Sequence, residues 1–422
     1  MNIYDELLWR GLVHQVSDEL KVRAYVSRPG ASVYCGFDPT AESLHVGNLV
    51  PLLSLVRFKL AGHKPLFLLG GATGLIGDPS GKDRERELSS RERLSAQADK
   101  IAGQVAEFFA RNTGEEPEVV NNADWIERLT AIELLRDVGK HFTVNWMLAK
   151  DSVKGRIGRE DVGISYTEFS YMILQGYDFL HLYLNRGTRL QIGGSDQWGN
   201  ITAGCELIRR KGGDEAFALT FPLITTASGR KFGKSEKGAI FLSAGLTSPY
   251  AFYQYFYNTE DQDAVRFLKY FTLLSREEIE ALAAEVAERP HLRAAQKALA
   301  AAVTRMVHGE EELSRVLAAS EALFGSGDIA RVDAATLKSA LKSAPSRTYA
   351  RDGLPDLPQV LVDLGLCASK GQAKKDIQAG AVSLNGRRTQ DATAPLADAG
   401  LIEGKVLVVR KGKKHYGLVV AR

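Results

Sequence analysis

At 422 residues and 46.1 kDa the chain has room for roughly two to four domains. Its 45% hydrophobic and 25% charged content excludes fibrous and extensively disordered architectures. The net charge of +3 conceals an uneven distribution. Residues 355–422 hold eleven basic and six acidic groups, a balance of +5, which leaves 43 basic against 45 acidic groups in the first 354. A basic tail on a mildly acidic body suits either a polyanionic partner or a solubilising surface. No stretch reaches the ~18 apolar residues of a membrane helix, and the longest candidate, Leu66 to Ile76, is broken by glycines. Cys35, Cys205 and Cys367 form neither a disulfide framework nor a zinc spacing. The segment Met1 to Glu6 has neither a basic n-region nor an apolar h-region, so the expectation is a reduced, cytoplasmic protein.

In chain order, residues 1–30 read as an amphipathic helical entry segment, through Leu7, Leu8, Leu12 and Val16. Ser32 to Phe37 then reads as a strand, broken by Asp38-Pro39-Thr40, with a helix from His45 to Leu60. A second strand, Pro65 to Leu69, runs into Gly70-Gly71-Ala72-Thr73-Gly74, and helical patterns at 91–111 and 127–139 bracket a strand candidate at Glu118 to Asn122. Further strands are expected at Leu190 to Gly194 and Leu219 to Ile224, with a helix over 197–211 between them. Alternation of this kind predicts an α/β fold, a parallel sheet with helical crossovers.

The texture changes after Ser248. Residues 248–345 are nearly all helical pattern, rich in Ala and Glu. Residues 346–354 read as a linker, and 355–422 as a small α+β unit with a hairpin signal at Asn385-Gly386. The expected division is therefore a 1–247 parallel-sheet domain, a 248–345 helical domain, the 346–354 linker and the 355–422 unit.

Five groups of residues carry the chemistry. Asp38 to Asn48 follows a strand and opens a helix, where unpaired N–H groups suit a phosphate; His45 can donate there, and Gly47 allows close approach of a ring. Lys231-Phe232-Gly233-Lys234-Ser235 sits between glycines, and two lysines three apart can stabilise charge on a leaving pyrophosphate. Tyr171, Gln175 and Asp178 share one helix face by their i, i+4, i+7 spacing and offer a zwitterionic, phenolic ligand a hydroxyl, an amide and a carboxylate. Gly193 to Asn200 lies at a strand's carboxyl end, where open α/β sheets bind ligands and Asp196 can accept from ribose hydroxyls. Gly77 to Lys82 places Asp78 and Lys82 on another such loop, but Asp83 after Lys82 excludes the phosphate-loop motif. Gly70 to Gly74 likewise fails the dinucleotide fingerprint.

His45-Val46-Gly47-Asn48 resembles the HIGH signature, and Lys231 to Ser235 the KMSKS signature, of class I aminoacyl-tRNA synthetases. With Tyr34 to Thr40, the Tyr171 to Asp178 stripe and Gly193 to Asn200, the whole chain resembles the bacterial tyrosyl-tRNA synthetase family. The resemblance implies a Rossmann-like catalytic domain, an α-helical anticodon-recognising domain and a C-terminal domain similar to the S4 RNA-binding fold, whose basic helix would include Lys370, Lys374 and Lys375. It implies that tyrosine and ATP give tyrosyl-adenylate and pyrophosphate, and that the tyrosyl group then passes to the 3′ end of tRNA(Tyr).

By the same resemblance Tyr34 and Asp178 would hold the substrate phenol, and Asp78, Tyr171 and Gln175 its ammonium. The ATP site would draw on Cys35, Gly36, Asp38, Gly47, Asn48, Gly193, Asp196, Gln197 and Lys234. Thr40, His45, Lys82, Arg86, Lys231 and Lys234 would stabilise the transferring phosphates. Mg²⁺ would travel with ATP and no tightly held protein metal is expected; a homodimer is implied. Two departures stand out: Asn48 replaces the last His of HIGH, and Phe232-Gly233 the Met-Ser of KMSKS. The rivals are a tryptophanyl enzyme, which the Tyr34 and Asp178 pair disfavours, and a catalytically silent RNA-binding relative, which has no use for Thr40, His45, Lys231 and Lys234.

Overall fold

The computed structural model describes the chain except residues 1, 81–88, 151–152, 155–156, 158–162, 231, 236–237, 325–326, 343, 394 and 413–414. It forms two compact units, residues 1–246 with 258–307 and residues 247–257 with 308–422.

The first unit is built on a six-stranded sheet. Its strands are β1 (Gln15–Val16), β2 (Ser32–Phe37), β3 (Lys64–Leu69), β4 (Glu118–Asn121), β5 (Leu190–Gly194) and β6 (Phe217–Phe221), in the order β1-β6-β5-β2-β3-β4. β2 to β6 are mutually parallel, and only β1 runs antiparallel, against β6. The central strands are nearly continuous apolar runs because helices cover both faces: every residue of β6 and all but the first of β3 are buried. From β2 the chain winds outward to β3 and β4, then returns to β5 on the other side of β2, and Val33 pairs with Leu190 at that junction. The crevice beyond the carboxyl ends of β2 and β5 is thus the switch point where a ligand fits.

Local sequence explains the elements around this crevice. The Leu49–Leu60 helix is entered through a tight turn, Val46–Asn48, in which His45 Nδ1 accepts from Gly47 N (3.0 Å) and Asn48 Oδ1 accepts from His45 N (3.1 Å). A Cβ on Gly47 would lie 2.7 Å from His45 Cε1, so this cap requires glycine. The Tyr166–Arg186 helix starts at the Ser165 cap and ends at left-handed Gly187. Its buried face carries Tyr171, Asp178, Phe179 and Leu182. The entry segment, expected to be helical throughout, holds two short helices, Ile3–Trp9 and Glu19–Tyr25, separated by β1.

The second unit contains a five-stranded sheet of β9 (Ser346–Tyr349), β10 (Val382–Leu384), β11 (Arg387–Thr389), β12 (Val406–Lys411) and β13 (His415–Ala421), ordered β11-β10-β12-β13-β9. The Leu357–Asp363 and Lys370–Gln378 helices supply Leu357, Val360, Leu361, Ala373 and Ile377 to its core, with Leu407, Val409 and Val419 from the sheet.

Two sequence expectations are corrected. Residues 346–354, read as a linker, contain β9, which pairs in parallel with β13 from Ser346 to Tyr349, and a tight turn over Arg351–Gly353. Pro345 and Gly353 punctuate the segment as expected, but the strand formers Thr348 and Tyr349 find open backbone partners on β13, and the Tyr349 hydroxyl donates to Asp363 (2.8 Å). The helical stretch 248–345 is not one body: residues 258–307 belong to the first unit. Helical periodicity marks an apolar face without saying which core receives it. The Asp261–Phe271 helix turns its face toward the parallel-sheet unit, where Arg10 and Arg57 bind its last carbonyls.

Candidate active site

A cavity of about 480 Å³ opens over the carboxyl ends of β2, β3 and β5. Cys35, Gly36, Asp38, Thr40, His45, Gly47, Asn48, Asp78, Tyr171, Gln175, Asp178, Gly193, Asp196 and Gln197 all line it, so residues spread over some 160 positions converge on one site. Tyr34 lies beneath, fully buried on β2 with its ring edge-on to Phe179 at 5.2 Å. Its hydroxyl has no hydrogen-bond partner among the described residues. Lys82, Arg86 and Lys231 lie outside the described residues. The Lys234 backbone belongs to β7 (Lys234–Ser235), paired with β8 (Gly238–Ala239). Lys370, Lys374 and Lys375 sit on the Lys370–Gln378 helix of the second unit.

At the deep end of the cavity Asp178 is 1% exposed. Its Oδ2 accepts from Asn122 Nδ2 (2.9 Å) and its Oδ1 from Trp125 Nε1 (2.8 Å). Burial outweighs these two donors and raises the carboxyl's pKa to about 7. Asn122, itself fully buried, also donates to Thr73 Oγ1 (2.9 Å), and Thr73 donates to Asp38 Oδ1 (2.8 Å). The other Asp38 oxygen accepts from the Tyr171 hydroxyl (2.9 Å). With its proton committed to Asp38, Tyr171 offers the cavity an acceptor oxygen, and burial followed by the Asp38 charge holds its phenol well above the usual tyrosine range.

A second cluster forms the side wall. Asp78 Oδ2 accepts from Gln197 Nε2 (2.6 Å) and Oδ1 from Ser80 N (2.9 Å). Asn200, buried, donates to Gln175 Oε1 (3.0 Å). Acceptors therefore dominate the space between Asp38, Asp78 and Tyr171, which suits a primary ammonium.

Toward the mouth, the neutral His45 ring accepts at Nδ1 and so carries its proton on Nε2. Asn48 uses its oxygen in the cap, which leaves its NH₂ as the group that can donate to a nucleotide. The described residues contain no group of three or more His, Cys, Asp or Glu side chains arranged to hold a metal ion. Burial raises the Cys35 thiol well above its ordinary pKa, which makes it a neutral packing and donor group instead of a nucleophile.

Sequence reasoning missed Thr73, Asn122 and Trp125. Asn122 directly follows β4, and a polar residue at a strand's carboxyl end was the available signal. Trp125 carries no such mark. Asn200 fell inside the Gly193 to Asn200 motif without a role of its own.

Comparisons with known proteins identify the family. Residues 28–325 match the family of class I tRNA synthetases (W and Y), and residues 336–419 match the tyrosine–tRNA ligase SYY-like C-terminal domain. The tyrosine–tRNA ligases of Geobacillus kaustophilus (strain HTA426) and Geobacillus stearothermophilus are 54% and 53% identical over 421 residues, 99% of this chain and 99% of each relative. Among solved structures, a C-terminally truncated Aspergillus nidulans mitochondrial tyrosyl-tRNA synthetase superposes with a TM-score of 0.68 at 31% identity, covering 75% of this chain and 92% of that one. The chain belongs to the class I tRNA synthetases and, within them, to the tyrosine–tRNA ligases.

Proposed function

We infer that the chain activates tyrosine with ATP and transfers the tyrosyl group to the 3′ end of tRNA(Tyr). It is a tyrosine–tRNA ligase. The observation that carries the substrate reading is the deep end of the cavity, where a buried Asp178 carboxyl lies near a Tyr34 hydroxyl that has no described partner. A substrate phenol donates to Asp178 and accepts from Tyr34, satisfying both. Phenylalanine leaves the Tyr34 hydroxyl unpaired and gives Asp178 no donor beyond Asn122 and Trp125, and an unmade buried hydrogen bond costs about 1–3 kcal/mol.

The remaining roles are those that the resemblance to the tyrosyl-tRNA synthetase family implies, and the donors and acceptors lining the cavity support them. Asp78, Tyr171 and Gln175 present oxygens to the ammonium. Cys35, Gly193 and Asp196 face the ribose, Gly36, Asp38, Gly47 and Asn48 contribute to the nucleotide side, and Gln197 lies toward the α-phosphate and the reacting carboxylate. Thr40, His45, Lys82, Arg86, Lys231 and Lys234 stabilise the phosphates. The substrate carboxylate is already a nucleophile at neutral pH, so catalysis consists of alignment and charge stabilisation, with no general base. Mg²⁺ enters with ATP as part of the substrate.

The part of the chain after residue 247 binds tRNA. The 248–345 helices contribute anticodon recognition, and the 355–422 unit is an S4-like RNA-binding domain with Lys370, Lys374 and Lys375 on its RNA-facing helix. The exposed basic side chains of that helix support this reading. The enzyme acts as a homodimer in the cytoplasm. Exposed Ile132, Leu135, Val144, Leu148 and Tyr166, concentrated within 35 residues, are apolar surface of the kind a subunit interface covers. Among the described residues no helix is long and apolar enough to cross a membrane. The test is ATP–pyrophosphate exchange with tyrosine, phenylalanine and tryptophan supplied separately. Exchange with tyrosine alone is expected, and equal exchange with phenylalanine would overturn the phenol assignment.

A further inference from the structure

The signature loop is attached to a platform that the catalytic roles above do not use. The ring of Phe232, the residue that departs from the methionine of related signatures, lies 4.4 Å from Phe267 and 5.1 Å from Phe271, centroid to centroid. Both partners are buried on the Asp261–Phe271 helix. The same helix holds the chain just ahead of the loop. Asp263 Oδ2 accepts from Ala227 N (2.9 Å), and Arg266 donates to the Thr225 carbonyl (2.7 Å).

The platform is itself fixed. Arg10 donates to the carbonyls of Lys269 and Thr272 (both 3.0 Å) and of Leu274 (2.7 Å), and Arg57 to those of Tyr270 and Thr272 (both 2.9 Å). These carbonyls form the negative end of the helix, so two buried cations meet a dipole there. Burial, and then the charge of Arg10, lower the Arg57 pKa to about 9, which keeps it charged at neutral pH.

On the other side, the loop touches the first signature. Gly233 has φ +91°, and a Cβ there would lie 3.1 Å from Gly47 N. Ile240 N donates to the Gly233 carbonyl (3.1 Å), and Val46 N to the Ile240 carbonyl (2.8 Å). Phe232 thus sits between a rigid helix and a backbone contact with the His45-to-Asn48 turn.

We propose that Phe232 is a positioning residue for adenylate formation. Its ring, seated on Phe267 and Phe271, fixes the Phe232–Gly233 backbone against Val46 and Gly47 and so holds the His45-to-Asn48 turn in place for the transferring phosphates. The proposal rests on the tyrosine-activation reading. It separates Phe232 from simple packing because tyrosine binds at Asp178 and Tyr171, away from the loop, and the sheet core does not depend on a half-buried ring.

The experiment measures the single-turnover rate of tyrosyl-adenylate formation, tyrosine affinity and thermal melting for the wild type, Phe232→Ala and Phe232→Met. Phe232→Ala is expected to slow adenylate formation by roughly tenfold, leaving tyrosine affinity and melting near wild type. Phe232→Met, which refills the contact, is expected to recover most of the rate. A wild-type rate in Phe232→Ala would overturn the proposal, as would a matched loss of tyrosine affinity and melting temperature, the mark of a packing role. Silence of the wild type with tyrosine would instead overturn the activation reading, and this proposal with it.

Discussion

The two ends of the active-site cavity are built in different ways. At the deep end, Asp38, Thr73, Asn122, Trp125, Tyr171 and Asp178 form one hydrogen-bonded network whose donors and acceptors are matched before any substrate arrives. At the mouth, Thr40, His45, Asn48 and the Phe232–Gly233 turn that leads into β7 are held by caps and short backbone contacts. A buried network tolerates few alternatives, because each unpaired member carries the full cost of its desolvation. It suits a fixed choice of amino acid. Turn-borne donors can adjust to phosphates whose charge moves during reaction. Specificity and rate should therefore respond to different mutations.

The largest separation is expected at the mouth. His45→Ala should lower the rate of adenylate formation by about a hundredfold, the scale on which a transition-state donor acts, with tyrosine affinity near wild type. Pre-steady-state kinetics at varied tyrosine and ATP would reveal it, and a parallel loss of tyrosine affinity would erase the distinction between the ends. Next comes the network: Asn122→Ala removes a donor from Asp178 and from Thr73 together, and should weaken tyrosine binding by about tenfold with a smaller change in the rate constant at saturation. Equilibrium titration with tyrosine would measure the loss.

The Asp178 carboxyl sharpens the comparison through pH. Its folded-state pKa of about 7 lies above the usual 3.9 or so of an aspartate, so the ligand-free fold favours the protonated form. The stability it contributes is fully present below about pH 4 and is lost as pH rises through about 7. Relative to the wild type, Asp178→Asn, which cannot ionise, should therefore gain melting temperature in ligand-free protein as pH climbs from about 4 to about 7, the window of that loss. Tyrosine binding runs the other way, because the ionised carboxyl is the better acceptor for the phenol. Wild-type affinity should fall as pH drops through about 7, and a flat titration would dissociate Asp178 from the phenol. The smallest effect on activation is expected far from the cavity. Neutralising Lys374 and Lys375 together should flatten the salt dependence of tRNA binding by a log–log slope of about 1.5–2 and leave adenylate formation unchanged.

What could be read from the sequence follows the same line. Residues at the mouth lie in contiguous motifs, His45 to Asn48 and Gly193 to Asn200, and the Tyr171, Gln175, Asp178 stripe follows from helical spacing alone, so all of them were legible. The deep network was not. Thr73, Asn122, Trp125 and Asp178 reach each other only because β3, β4 and the Tyr166–Arg186 helix are brought side by side, and no local pattern encodes that juxtaposition. The parallel sheet was legible from strand–helix alternation. The partition of the helices after 248 was not, because an amphipathic face does not name its core, and β9 was hidden by the turn residues that flank it.

The most direct test of a prebuilt phenol site is ATP–pyrophosphate exchange with tyrosine and with phenylalanine, measured side by side for the wild type and Asp178→Ala. The expected result is a strong wild-type preference for tyrosine that falls by at least about tenfold in the variant, through lost tyrosine activation. A variant that discriminates the two amino acids as well as the wild type would contradict it.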